Sequence, residues 1–156
     1  TGVRCGYTII PQELTATTSC GEKIKLNALW NRRQCTKFNG TSYITQRGAE
    51  AIYTSEGKQQ VRKTIDYYMA NARTMKTALQ QMGYDVTGGD NAPYLWVKTP
   101  DNLSSWQFFD HLLNQAQVIV TPGVGFGPSG EGYVRLTAFG KQEDCIAAIQ
   151  RIKELV

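Results

Sequence analysis

The chain has little of what several chemistries require. It holds one histidine, His111, and four cysteines, Cys5, Cys20, Cys35 and Cys145, none of them in a CxxC pair. Zinc sites draw closely spaced pairs of Cys and His, so no metal centre is expected. The cysteines are expected to be free thiols in a reducing compartment, several of them buried. No apolar run approaches the ~20 residues that span a bilayer. Cationic clustering is also missing: 17 Lys and Arg against 13 Asp and Glu leave a net charge of +4, and Arg32-Arg33 is the only adjacent arginine pair. A nucleic-acid face needs such clustering, so neither nucleic acid nor membrane is expected as a partner. There is no internal repeat and no low-complexity tract.

What is present is an ordinary globular composition, 41% hydrophobic and 19% charged over 156 residues, enough for one modest domain or pieces of two. The chain begins at Thr1, without a methionine, and passes directly into the apolar stretch Cys5 to Ile10. That reads as a buried strand closed by Pro11, in a fragment whose N-terminal part lies elsewhere. Thr15 to Gly21 reads as a polar turn. Leu26 to Phe38 is predicted as a helix stopped by Asn39-Gly40, a pair able to adopt the left-handed conformation. A second helix is predicted from Ser42 to about Thr54, broken at Ser55-Glu56-Gly57.

From Lys58 the period is helical. Val61, Ile65, Met69, Ala72, Met75, Leu79 and Met82 form one apolar stripe that ends at Gly83. Strands are predicted at Tyr84 to Val86 and Tyr94 to Lys98 around a glycine turn. Ser104 with Gln107 fits a capping box, opening a helix with Trp106, Phe109, Leu112, Leu113 and Ala116 inward. Val118 to Val120 and Tyr133 to Ala138 read as strands. Lys141 to Leu155 reads as a last helix with Ile146, Ile149 and Ile152 inward. The order from about Gly57 onward describes an α/β unit of roughly a hundred residues, an ordinary domain size. The expected division is 1–55, the tail of a larger α/β domain, and 56–156, a small α/β domain.

The segment Val118 to Gly140 carries the first functional signal. An apolar strand runs into a glycine loop, and the next strand holds a lone cation, Arg135, between Val134 and Leu136. A charge there is costly unless paired. Its partner is either a protein carboxylate, Glu131 being the nearest in sequence, or a ligand carboxylate or phosphate. Gly125-Phe126-Gly127-Pro128-Ser129-Gly130 fits GxGxxG literally. A dinucleotide fingerprint requires a helix opening on its last glycine; here a strand follows and Pro128 interrupts, so that reading is rejected. Arg4 stands between Gly2 and Gly6, with a guanidinium suited to phosphate or to a surface cap. Asn39 reads as a helix C-cap, and His111 as a half-exposed helix residue. Tyr43, Tyr67, Tyr68, Tyr84, Tyr94 and Tyr133 offer no basis for choosing among them.

Taken together these segments resemble the C-terminal part of the fold-type-I pyridoxal-phosphate aminotransferases. Thr1-Gly2-Val3-Arg4-Cys5-Gly6 is similar to the T/S-G-x-R-x-G segment that follows the Schiff-base lysine there. Pro122-Gly123-Val124-Gly125-Phe126-Gly127 with Val134-Arg135-Leu136 is similar to the P-G-x-x-F-G and x-R-L block. Longer strings, Leu26 to Gln34, Thr36 to Gly40, Asn91 to Tyr94 and Gly125 to Gly132, resemble the LL-diaminopimelate aminotransferase family within it. The resemblance implies an α/β fold, the end of the large domain plus the small domain. It implies pyridoxal 5′-phosphate as cofactor and transfer of an amino group between LL-2,6-diaminopimelate and 2-oxoglutarate, giving tetrahydrodipicolinate and glutamate in lysine biosynthesis. Arg4 would hold the cofactor phosphate, Asn39 would reach cofactor and substrate across a homodimer interface, and Arg135 would bind the substrate α-carboxylate. No catalytic residue lies in the chain: the Schiff-base lysine is expected just before Thr1, and this chain alone is expected to be inactive. The implied location is bacterial cytoplasm or plastid stroma. Aspartate or aromatic specificity, and a non-catalytic folded module, are the alternatives.

Overall fold

The computed structural model describes residues 4–155. The chain divides into two units between Gln60 and Val61, and each is considered by itself.

The first unit begins with exposed, irregular backbone. Cys5 to Ile10 is not the buried strand its composition predicts: Tyr7 and Ile9 are 82% and 79% exposed. A strand is held by its neighbours' hydrogen bonds, and among the described residues no strand pairs with this stretch, although the Asn27 amide donates to the Ile10 carbonyl at 2.7 Å. A hairpin follows where the sequence reads as a turn, β1 (Thr15–Thr17) antiparallel to β2 (Lys23–Lys25). It closes through Gly21, which donates to the Thr18 carbonyl at 2.9 Å with φ +86°. Helix α1 (Leu26–Lys37) ends at an extended Phe38; Gly40, not Asn39, takes the left-handed conformation. Ser42 caps α2 (Tyr43–Ala51) by accepting from the Thr45 amide. Helix α3 (Ser55–Gln81) then begins, with Gly57 inside its first turn, its amide donating to the Thr54 hydroxyl at 3.0 Å. A side chain at Gly57 would strike the Ala51 carbonyl, which is why glycine stands at the α2–α3 corner.

The second unit is an antiparallel sheet with helices on one face. Its strands are β3 (Val86–Gly88), β4 (Tyr94–Lys98), β5 (Thr121–Pro122) and β6 (Tyr133–Thr137), in the order β3-β4-β6-β5. Leu95 and Val97 pair across with Leu136 and Val134, and all four are buried. They meet Ala72, Met75 and Leu79 of α3, Phe108 of α4 (Ser105–His111), Leu112 of the following π turn, and Ile149 and Ile152 of α5 (Gln142–Lys153) in one core. The buried part of the α3 stripe starts only at Asn71; Val61 and Ile65 are exposed. Asn71 is itself 1% exposed and donates to the Ala138 and Gly140 carbonyls, tying α3 to the end of β6.

Two helix faces keep most of their expected inward residues, Leu112, Ala116, Ile149 and Ile152, and differ at their first positions. The capping box of Ser104 and Gln107 is present, but it turns Ser105 and Phe108 inward and leaves Trp106 58% exposed. In α5 the inward row is Cys145, Ile149 and Ile152, and Ile146 is 40% exposed. Val118 and Val120 are buried with Ile119 outward, yet pairing to β6 is confined to Thr121 and Pro122. All four cysteines are free, and only Cys145 is buried.

Candidate functional site

Alternation along β4 and β6 places Arg135 on the sheet face opposite the core. Its strand neighbours Val134 and Leu136 go inward, so it must go outward. It lies directly across from Trp96 on β4 and Thr121 on β5. Tyr94, diagonal to it, is within reach of a long side chain. The guanidinium lies over two rings, its Cζ 4.5 Å from the centroid of Tyr94 and 4.3 Å from that of Phe126. Trp96 meets the Phe126 ring edge-on at 5.3 Å.

Arg135 has no carboxylate partner among the described residues, and its Nε is buried with no hydrogen-bond acceptor. Glu131 does not pair with it. That carboxylate accepts from the Ser105 amide at 2.7 Å and from Gly132 at 3.2 Å. A guanidinium packed against two aromatic rings still has its N–H donors to offer. That geometry matches a planar carboxylate, and a buried donor left unpaired costs about 1–3 kcal/mol until an acceptor arrives.

The glycine loop delivers Phe126. It consists of two short 3₁₀ turns, Gly123–Phe126 and Pro128–Gly130. Gly123 and Gly130 face each other so closely that a Cβ on either would sit about 2 Å from the other's carbonyl oxygen. No helix opens on Gly130, so the loop offers no phosphate-binding helix end of the dinucleotide type.

The other residues expected from sequence belong to the first unit. Arg4 is exposed with φ +54°, the left-handed region that a non-glycine residue seldom adopts. It has no ion-pair partner among the described residues. Thr1, Gly2 and Val3 of its motif lie outside the described residues. Asn39 is exposed just beyond α1, its side chain free of hydrogen bonds among the described residues. His111 ends α4, stacked on Phe108 at 6.4 Å, away from Arg135. Sequence reading missed Tyr94 and Phe126 as neighbours of Arg135. Tyr94 was recoverable only through the β4–β6 register, since alternation alone does not say which strand lies beside β6. Among the described residues no group of acidic, His or Cys side chains could hold a metal ion, and no helix is long and apolar enough to cross a membrane.

The model of the family "aminotransferase class I and II" matches residues 1–152. The LL-diaminopimelate aminotransferase of Bacteroides fragilis is 71% identical over 153 residues, 98% of this chain and 37% of the relative. That of Phocaeicola vulgatus is 69% identical over 154 residues, 99% and 38% of the two chains. Among solved structures, the L,L-diaminopimelate aminotransferase from Chlamydomonas reinhardtii matches with a TM-score of 0.84 at 41% identity, over 93% of this chain and 34% of that one. The aromatic aminotransferase from Pyrococcus horikoshii matches with a TM-score of 0.72 at 24% identity, over 83% and 35%, a likeness of fold alone. The chain therefore spans little more than a third of the length of the curated relatives it matches.

Proposed function

The chain belongs to the aminotransferase class I and II family, and from that premise we propose that the protein containing it is a pyridoxal-phosphate enzyme moving an amino group between LL-2,6-diaminopimelate and 2-oxoglutarate. The products are tetrahydrodipicolinate and glutamate. The observation that carries the reading is Arg135, a guanidinium over two aromatic rings with a buried, unpaired Nε between Val134 and Leu136. The 71% identity to a diaminopimelate enzyme favours that substrate over aspartate or aromatic amino acids.

The residues present fit the two anionic ends such a site must hold. Arg4, exposed and without an ion pair, has the donor set for the cofactor phosphate. Asn39 offers an amide to cofactor and substrate, in this reading from the neighbouring subunit of a homodimer. Arg135 takes the substrate α-carboxylate in a two-pronged pair, each bond to a charged group contributing about 1.5–3 kcal/mol. The rings of Tyr94 and Phe126 displace water beside the guanidinium, so the pair forms at lower effective dielectric. The cofactor supplies the electron sink; these side chains supply orientation and charge. Residues 1–55 are assigned to the end of the cofactor-binding domain and 56–156 to the small domain.

The experiment uses the full-length protein with pyridoxal phosphate and follows the cofactor's absorption on adding single amino acids. Spectral conversion with LL-diaminopimelate and glutamate, and none with aspartate or phenylalanine, is expected. Conversion only with the latter two would move the protein to another specificity in the same family.

A further inference from the structure

Glu131 is the acidic residue nearest Arg135 in the sequence, yet its carboxylate is turned to the start of α4. There it accepts the Ser105 amide at 2.7 Å and the Gly132 amide at 3.2 Å. Ser105, 0% exposed, returns a bond from its hydroxyl to the Gly130 carbonyl at 3.1 Å. The Thr99 amide holds the Gly132 carbonyl at 2.9 Å. One end of the glycine loop is thus fastened to α4 and to the end of β4. Gly130, at that fastened end, is packed backbone to backbone on Gly123, and the span between them carries Phe126 onto Arg135. Phe126 is 51% exposed, so burial alone does not hold its ring in place. The loop's anchorage does.

We propose that Glu131 is a positioning residue for carboxylate binding, acting through the glycine loop and Phe126 to hold the Arg135 guanidinium edge-on to its ligand. A guanidinium packed against two rings has less freedom to turn, so its donors stay aligned for a planar, two-oxygen anion. Without the Phe126 ring one face is released to water and the alignment is lost. Glu131 never touches the ligand; its charge serves two amides that fix the loop. This inference rests on the reading that Arg135 binds the substrate carboxylate, and its test keeps the two apart.

The test uses the full-length enzyme with pyridoxal phosphate. The probes are 2-oxoglutarate as substrate and glutarate as a competitor lacking the reacting group. Glu131→Ala and Phe126→Leu are each expected to raise the KM for 2-oxoglutarate and the inhibition constant of glutarate roughly tenfold, the order that loss of one desolvated cation–π contact gives. kcat is expected to fall by less than about threefold, because the chemistry is untouched. Phe126→Tyr, which keeps the ring, restores most of the affinity. Glu131→Gln, which keeps an acceptor oxygen for the Ser105 amide, falls between parent and Glu131→Ala. The double variant Glu131→Ala/Phe126→Leu is expected to bind no more weakly than the worse single variant, since both remove the same restraint. Additive losses in the double variant, or an unchanged glutarate constant in Glu131→Ala and Glu131→Gln, would overturn the proposal. A glutarate constant unmoved by Arg135→Ala would instead overturn the assignment of Arg135 itself.

Discussion

The two units of this chain handle apolar surface in opposite ways. No described residue before Asn71 is buried, although the stretch includes Tyr7, Ile9, Leu29, Trp30, Phe38 and Ile44. Beyond it, seventeen hydrophobic residues are buried in one core. The first unit has a capped helix at Ser42 and a closed hairpin, so these local signals are intact. It lacks a second layer to cover them, and a helix or strand gains most of its stability from burying one face. The second unit brings sheet and helices together. The comparison teaches that motif residues and folding determinants are separated in this chain. Arg4 and Asn39 lie on the part without a core, while Arg135 lies on the part that makes its own.

The sharpest way to break that contrast is to separate the parts. Residues 55–156 expressed alone are expected to unfold cooperatively in urea and to protect their sheet amides from hydrogen exchange. Residues 1–54 alone are expected to show no cooperative transition. Coincident transitions in both pieces would end the distinction.

Next in size are core truncations. Phe108, 2% exposed, packs between α4 and the sheet, and Phe108→Ala is expected to lower the unfolding free energy by about 3–5 kcal/mol. In the same 156-residue chain Ile44→Ala, at a residue 84% exposed, is expected to change it by less than about 0.5 kcal/mol. Chemical denaturation of the two variants side by side measures the gap.

Function sharpens the same division. In the full-length enzyme Arg135→Ala is expected to lower kcat/KM at least tenfold, about 1.4 kcal/mol or more. Arg4→Ala is expected to act on cofactor retention, read as pyridoxal phosphate content after dialysis. Equal cofactor loss in both variants would remove the separation of roles.

The smallest effects concern two thiols, one from each unit. Cys20 is exposed, and its Sγ lies 2.9 Å from the Thr18 hydroxyl. That hydrogen bond, with a lesser one from the Glu22 backbone, holds the thiol below its ordinary range. Burial pushes the Cys145 thiol up. Iodoacetamide at pH 8 is therefore expected to label Cys20 well before Cys145, as peptide mapping would show. Burial also raises the Tyr84 hydroxyl. Both acids keep their protons in the folded state at pH values where the unfolded chain has released them. Their contribution is thus complete below the ordinary thiol pKa of about 8.5 and is lost as pH rises through and beyond it. Melting temperatures measured from pH 7.5 to 10.5 should fall across that window, and less steeply in Cys145→Ala.

Local chemistry alone determined a good deal. The capped start at Ser42 and the capping box at Ser104 follow from side chains acting on backbone a few residues away, and the stop at Gly83 from a glycine free to take the left-handed conformation. The rejection of GxGxxG as a dinucleotide loop followed equally, since the element after it was legible as a strand. The isolation of Arg135 between two apolar neighbours marked it before any contact was known. What depended on distant segments was decided only by the tertiary structure. Cys5 to Ile10 has strand composition but no paired neighbour here. The first inward positions of α4 and α5 shifted because the inward direction is set by what lies opposite, and Phe108 and Cys145 joined the core where Trp106 and Ile146 did not. Glu131 turned to Ser105 rather than Arg135. The two rings that grip the guanidinium came from a strand 41 residues away and a loop nine residues away. Strand register and loop closure bring such groups together, and neither leaves a periodic trace in sequence.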